Sequence, residues 1–321
     1  MTLVTGGTGF IGRHLLAHLA ANGEQVRALV RRTKAPRALP AGVEVIHGDL
    51  ATGAGLNDAL RGAETVIHLA GVTKALHTGD YYTGNVRATE QLTHAMAGRG
   101  IRLLHVSSMS AIGPSEGRTP VSEDAPPHPL THYGKSKLEA ERVVRDLMPE
   151  AVIVRPPVVY GPGDTDVFHL LKSISKGLVL EIAGGERWFS AIYVKDLVGG
   201  LMAALRTPGA AGKSYFLAHP KPLSWQQLGS AAARIMSKSP RVVTLPVPVA
   251  LAVGACAEMW ARVTGKPGIV SREKVAEALC MAWICDTSRA ERDLAFVAPT
   301  GLEQGLAETL AWYKEAGWLK Y

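Results

Sequence analysis

Apolar residues in the first half of the chain come in short runs, each followed by a stretch of helical period. Leu3 and Val4 end a first short strand, and Leu15, Leu16 and Leu19 then recur at helical spacing. Residues 25–30 predict a second strand, 43–50 a third and 65–71 a fourth, the last almost continuously apolar. Such runs suit parallel strands covered on both faces. A helix opens at 81–86 and runs on to Met96, and 103–108 predict a fifth strand. Behind a proline-rich loop at 125–130, another helix begins at Tyr133, and a sixth strand precedes Arg155. Strands alternating with helices predict an α/β fold built on a doubly wound parallel sheet.

The second half is less regular. Residues 164–179 predict a helix, 184–190 a turn entering a strand, 196–205 a helix and 213–218 a strand; Ser224 is placed to cap the next helix. No break in composition marks a linker, so two interleaved lobes are expected. Residues 1–160 would form a nucleotide-binding domain, with 186–222 folding back onto it, and 161–321 a smaller substrate-binding domain. The segment 242–257 is the least ordinary, apolar with two prolines and shorter than the roughly 18 residues of a spanning helix. It reads either as a buried helix or as an apolar flap or shallow membrane contact with basic residues nearby.

The run Thr5-Gly6-Gly7-Thr8-Gly9-Phe10-Ile11-Gly12 joins the first strand to the first helix. Glycines three apart can serve a tight turn, the approach of a pyrophosphate and close helix–sheet packing. An ordinary strand–helix turn is the plain alternative, but the strand–turn–helix setting favours dinucleotide binding, with phosphates at the helix N-terminus. The second strand ends Val30-Arg31-Arg32-Thr33-Lys34, without the acid that would accept from a ribose 2′-hydroxyl. Arg31 and Arg32 are therefore expected to take a 2′-phosphate, with NADP(H) as the preferred cofactor and NAD the second choice. A solvated basic turn is the alternative there.

Composition narrows the partners. The 321 residues, 47% of them hydrophobic, supply ample core, and the net charge of +7 favours anionic partners such as a phosphorylated cofactor or a membrane surface. No nucleic-acid-binding motif accompanies that charge. Three cysteines without ligand-like spacing indicate neither disulfide nor metal. The first strand starts at the first residues and leaves no room for a signal peptide, so a cytoplasmic protein, peripheral at most to a membrane, is expected.

The candidate chemistry sits around Tyr133 and Lys137, which are i and i+4 and share one helix face. A free phenol is too weak an acid to serve as a base at neutral pH, and a nearby ammonium would lower it. Ser108, at the end of the fifth strand, could hold a substrate oxygen while the phenol exchanges a proton with it. Alone, such a pair favours the plain alternative of a packed tyrosine and a solvated lysine. His68 reads as a packed residue and not as a base.

Taken together, these motifs resemble the extended short-chain dehydrogenase/reductase family, also called the NAD-dependent epimerase/dehydratase family, whose fold is Rossmann-type. Residues 5–12 look like its cofactor fingerprint. Gly48-Asp49-Leu50 and His68-Leu69-Ala70-Gly71 look like its adenine- and ribose-side motifs, and 82–89 with Asn85 is similar to its helix motif. His105 to Gly113 resembles its serine strand, Tyr133-Gly134-Lys135-Ser136-Lys137 its catalytic pair, and Arg155 to Gly163 the segment that meets the nicotinamide. The resemblance implies Ser108, Tyr133 and Lys137 as catalytic. It implies cofactor contacts at Gly6, Thr8, Gly9, Phe10, Ile11, Gly12, Asp49, Leu50, Ala70, Gly71, Ser107, Tyr133, Lys137, Pro156 and Val158, beside Arg31 and Arg32. Ile112 replaces the usual tyrosine before Gly113 and Gly84 a frequent asparagine, changes expected to alter the cavity wall.

The apolar 242–257 segment, with Trp283 to Asp286, looks like the lipid- and sterol-directed, 3β-hydroxysteroid-dehydrogenase-like branch. The expectation is therefore an NADP(H)-dependent oxidoreductase acting between a ketone and a secondary alcohol on a bulky, apolar small molecule, as a monomer or homodimer. A sugar-nucleotide epimerase, dehydratase or reductase is the second reading, and a non-catalytic cofactor-binding scaffold a third.

Overall fold

The computed structural model describes residues 1–32, 39–266, 268 and 270–321; Thr33 and Lys34 of the basic turn lie outside them. Strand β1 (Thr2–Thr5), buried along its length, turns through the glycines into α1 (Phe10–Ala21). β2 (Val26–Val30), β3 (Glu44–His47), the short α2 (Leu56–Leu60) and β4 (Thr65–His68) follow. The next helix starts earlier than the pattern indicated, as α3 (Thr78–Tyr81), and passes through a π turn at Tyr82–Arg87 into α4 (Ala88–Met96). β5 (Arg102–Val106), α5 (His132–Leu147) and β6 (Val152–Val154) complete the first half.

The second half begins with β7 (Val158–Tyr160), α6 (Asp166–Ser175), β8 (Leu178–Ile182), β9 (Trp188–Phe189), β10 (Ala191–Tyr193) and α7 (Val194–Arg206). It continues through β11 (Ser214–Tyr215), β12 (Leu223–Ser224), α8 (Trp225–Ile235), β13 (Arg241–Leu245) and α9 (Val247–Thr264). It ends with α10 (Arg272–Leu279), β14 (Ala282–Trp283), α11 (Ser288–Leu294) and α12 (Leu302–Glu315).

Seven strands form one parallel sheet in the order β11-β6-β5-β4-β1-β2-β3, a Rossmann-type α/β arrangement. Strand alternation assigns its two cores. Val4 faces the side where Leu15, Leu16 and Leu19 of α1 meet Leu197 and Leu201 of α7. Leu3 faces the other side, with Val66, Leu103 and Ile153, covered by Leu92 and Met96 of α4. Both faces are thus sealed by helices, which is why these strands read as apolar runs. The chain leaves β1 toward β2 and β3 on one side and takes up β4, β5 and β6 on the other. The crevice at the carboxyl ends of β1 and β4 is the place where such sheets bind ligands.

β11 joins the outer edge of this sheet beside β6, although the chain has by then passed through β7 to β10. A further core outside the main sheet is built by Leu171, Leu228, Leu306, Leu310 and Tyr313 from α6, α8 and α12. Two expectations are corrected here. The helix predicted over 164–179 stops at Ser175, because Gly177 adopts φ +82°, and Leu178 and Val179 belong to β8. The segment 242–257 is not a buried helix. Its first residues form β13 against β8, and Pro246 then opens an 18-residue helix in which only Ala250, Gly254 and Ala261 are buried. By length and composition α9 could cross a membrane, but most of it lies exposed on this protein.

Candidate active site

The glycine turn is shaped by close backbone approach. Gly6 has φ +73°, and a Cβ there would sit 2.6 Å from the Ala70 nitrogen; one on Gly12 would sit 2.3 Å from the Gly6 oxygen. β1, α1 and the end of β4 therefore meet with no side chain between them. Gly9 takes the N-cap position of α1 in extended conformation, and the first turn of that helix carries no acid. Thr8 and Gly9 are exposed, and Phe10 and Ile11 half-buried, beside this turn. Free N–H groups at a helix start with no competing carboxylate fit a pyrophosphate.

The adenine side is laid out next to it. Gly48 donates its N–H to the Val30 oxygen at 3.1 Å, which sets Gly48-Asp49-Leu50 beside the end of β2. Asp49 spends one carboxylate oxygen on the Ala51 N–H, at 2.8 Å, and Leu50 is buried. Arg31 and Arg32 are exposed at the end of β2, and among the described residues neither forms an ion pair. Two guanidinium groups thus stand where an acid would otherwise meet the ribose.

At the other end, α5 brings the predicted side chains together. Thr131 caps it by accepting from the Gly134 N–H at 3.1 Å. Ser108 Oγ accepts from the Ser110 N–H at 3.1 Å and lies beside the Tyr133 phenol. Lys137 is buried and donates to the Val106 carbonyl at 2.9 Å. Ala70 and Gly71 lie alongside, a Cβ on Gly71 reaching 3.9 Å from Lys137 Nζ. Ser107 Oγ is buried without a hydrogen-bond partner among the described residues. Pro156 and Val158 close the group from the β6–β7 link, the Pro156 oxygen accepting from the Met109 N–H at 3.0 Å. Arg155 before them is held by Glu141 through paired contacts, the shortest 2.7 Å, in a buried ion pair.

Burial sets the ionisation of this cluster. It pushes the Tyr133 phenol above its usual range, and the neighbouring Ser108 hydroxyl offsets this only in part. The expected lowering is not the outcome, because burial dominates at the phenol. Burial also lowers Lys137, to about 8. His68 is packed, as its sequence setting suggested. Its Nδ1 is 2.7 Å from Thr5 Oγ1, and its Nε2 is 3.0 Å from Thr89 Oγ1, which itself donates to the Asn85 oxygen. That chain fixes the proton on Nε2, and burial lowers the ring to about 3.

The sequence left unassigned the role of Asn85, which lies in the π turn. Its Oδ1 accepts from the Val72 N–H at 2.7 Å, and its Nδ2 donates to the Val72 oxygen and, at 2.9 Å, to Ser136 Oγ. It thus ties the β4 loop to α5 beside Lys137. A side-chain amide inside a helical stretch was the visible signal. Gly84 is explained by the same contact, since a Cβ there would strike Val72 Cγ2 at 2.3 Å. Ile112 does not line the cleft, contrary to expectation; it is buried with Met109, Val121 and Phe216. The cleft over Tyr133 is walled by Thr73, Lys74 and Tyr81 and, from α9 and α10, by Ala261, Arg262 and Lys274. Lys74 pairs with Asp166 and Arg262 with Glu258, the latter at 2.7 Å. No local motif marks these residues, since they reach the site from remote stretches of chain.

A glycine turn at the switch point of the sheet, and a Ser–Tyr–Lys cluster across the crevice from it, define the extended short-chain dehydrogenase/reductase type. Residues 2–218 match the model of the NAD dependent epimerase/dehydratase family, and the chain belongs to that family. It is 34% identical to a ceramide reductase of Caulobacter vibrioides, over 98% of this chain and 95% of that one. It is 29% identical to an N-acetyl-alpha-D-glucosaminyl-diphospho-ditrans,octacis-undecaprenol 4-epimerase of Escherichia coli O157:H7, over 96% and 93%. The structure of MoeE5 in complex with UDP-glucuronic acid and NAD superposes with a TM-score of 0.79 at 26% identity, covering 98% of this chain and 99% of that one. Reductases and epimerases of one fold are thus its relatives.

Proposed function

We propose that this protein is a cytoplasmic NADP(H)-dependent oxidoreductase that interconverts a ketone and a secondary alcohol on a bulky, lipid-like substrate of sterol or 3-keto-ceramide type. The observation that carries the reading is the juxtaposition of Ser108, Tyr133 and Lys137 at the head of α5, with Tyr133 lining a cleft whose wall includes Ala75, Leu76, Ala261 and Val270. The backbone from Gly6 to Gly12 would hold the pyrophosphate, Arg31 and Arg32 the 2′-phosphate, and Lys137 the nicotinamide-side ribose. When bound, the cofactor supplies or accepts the hydride. Ser108 donates a hydrogen bond to the substrate carbonyl, and the Tyr133 phenol gives its proton to the oxygen as it becomes an alcohol. A phenol raised by burial keeps its proton at neutral pH, which suits it as the acid of a reduction. The likeness to a ceramide reductase supports a lipid ketone as substrate.

A second reading is favoured by Lys74, Arg262 and Lys274 in the cleft wall, which could meet a sugar diphosphate as an epimerase requires. Cofactor analysis separates the two, since an epimerase returns its hydride and holds NAD, released only on denaturation. For the leading reading, NADPH oxidation is followed with long-chain keto lipids. Tyr133→Phe should cut kcat by about 10²-fold or more while NADPH still binds. Unchanged turnover in that variant, or no NADPH binding by the wild type, overturns the reading.

A further inference from the structure

We infer that α9 docks this protein flat on an anionic phospholipid bilayer, its apolar face in the lipid and the Tyr133 cleft beneath the helix. Loading of substrate from that bilayer rests on the lipid reading above; the docking itself does not.

Val249, Val253, Trp260 and Val263 recur at helical spacing and are 44, 48, 69 and 75% exposed. With Ala252 and Cys256 they make one exposed stripe along the helix. The opposite side of α9 is occupied. Ala250, Gly254 and Ala261 are buried, and a Cβ on Gly254 would stand 2.9 Å from Val275 Cγ2 of α10. The helix therefore lies along the protein, and spanning a bilayer would require tearing it from α10 and carrying Glu258 and Arg262 into hydrocarbon. An in-plane helix with one apolar face avoids both.

Charge selects the occupant. Between residues 238 and 274 the cations are Lys238, Arg241, Arg262, Lys266, Arg272 and Lys274, against the acids Glu258 and Glu273. Lys238 and Arg241 precede the stripe and Lys266 follows it, all exposed, in a chain of net charge +7. The exposed Arg262 and Lys266 at the C-terminal end of the stripe, and the excess of cations around it, match lipid tails bordered by anionic headgroups. Ala261, on the side of α9 turned away from the stripe, and Arg262 wall the cleft over Tyr133, so that cleft lies beneath the docked helix.

Flotation of the full chain with vesicles of phosphatidylcholine, with and without about a third phosphatidylglycerol, tests this. The wild type should float with the anionic vesicles, less well with neutral ones, and should be released by salt. Val253→Asp with Trp260→Asp should weaken that binding by at least about tenfold, with thermal unfolding and NADPH binding unchanged. Because both side chains point outward, folding survives the change. Floating equally well with both variants in place overturns the inference, as does failure of the wild type to float. So does a wild-type dimer that the variants split without any vesicle binding, since a second copy would then cover the face. Reduction of a short soluble ketone is scored separately; its failure counts against the oxidoreductase reading and leaves the flotation result standing.

Discussion

The Lys137 ammonium donates to the Val106 carbonyl at 2.9 Å and so fastens the middle of α5 to the last residue of β5. The bond holds a buried charge at the point where the ribose would lie. Its lowering from the usual 10.5 to about 8 corresponds to about 3 kcal/mol against the charged form. In Lys137→Met that cost is removed, at the loss of one hydrogen bond worth about 1 kcal/mol. The cofactor-free variant should then be about 1–2 kcal/mol more stable than the wild type at neutral pH, while turnover falls at least about tenfold. The pH dependence has a fixed sign. Below about pH 8 the native state carries the costly charge, so the advantage of the variant is complete. As pH rises from about 8 to 10.5, the unfolded chain still holds the proton that the native state has released, and the advantage disappears. Denaturant unfolding of both proteins at several pH values checks this.

Arg31 and Arg32 stand exposed at the end of β2, where a 2′-phosphate would be met. Replacing both by alanine should weaken NADPH binding by about 10- to 100-fold, from the loss of charge-assisted hydrogen bonds. NADH binding should change by no more than about threefold. Titration of cofactor fluorescence gives the ratio, and equal losses for the two cofactors would remove the basis for NADP(H) preference.

Arg155 and Glu141 form a buried pair directly before the Pro156–Val158 link. Arg155 also donates to the Glu123 oxygen at 2.9 Å. Removing one partner leaves a buried charge alone, so Glu141→Leu should cost about 3–5 kcal/mol. The double change Glu141→Leu with Arg155→Met should cost less than the two single changes added together. A double-mutant cycle in denaturant measures this directly.

Asn85 satisfies three groups at once, two of them on Val72. Asn85→Ala should destabilise the fold by about 2–3 kcal/mol, because the Val72 N–H loses its partner inside the protein. Turnover should fall further than that instability explains, since the loop beside Lys137 is no longer held. Kinetics at a temperature where the variant is fully folded separates the two effects.

Much of this arrangement was legible before any coordinates. Gly6, Gly9 and Gly12 announced the strand–turn–helix joint, and at Gly6 and Gly12 backbone contact excludes every larger residue. Leu15, Leu16 and Leu19 announced α1 because one face of that helix is sealed against the sheet. Tyr133 and Lys137 were visible because helical spacing alone puts them together. The cleft wall was not, since Ala261, Arg262 and Lys274 reach it only through the packing of α9 and α10. Whether α9 is buried stayed open for a related reason. Apolar composition is the same in a core helix and in an exposed one, and only the partner surface tells them apart. The rise of the Tyr133 phenol was equally hidden, because it depends on how completely the cleft excludes water.

β11 has a consequence for how the chain is made. The outer strand of the main sheet is supplied by Ser214 and Tyr215, some sixty residues after the β6 strand it covers. While the ribosome is still delivering those residues, β6 presents a bare edge to its surroundings. A fragment ending at Tyr160 would keep that edge permanently and should aggregate, whereas one ending after Ala218 would have the strand needed to close it.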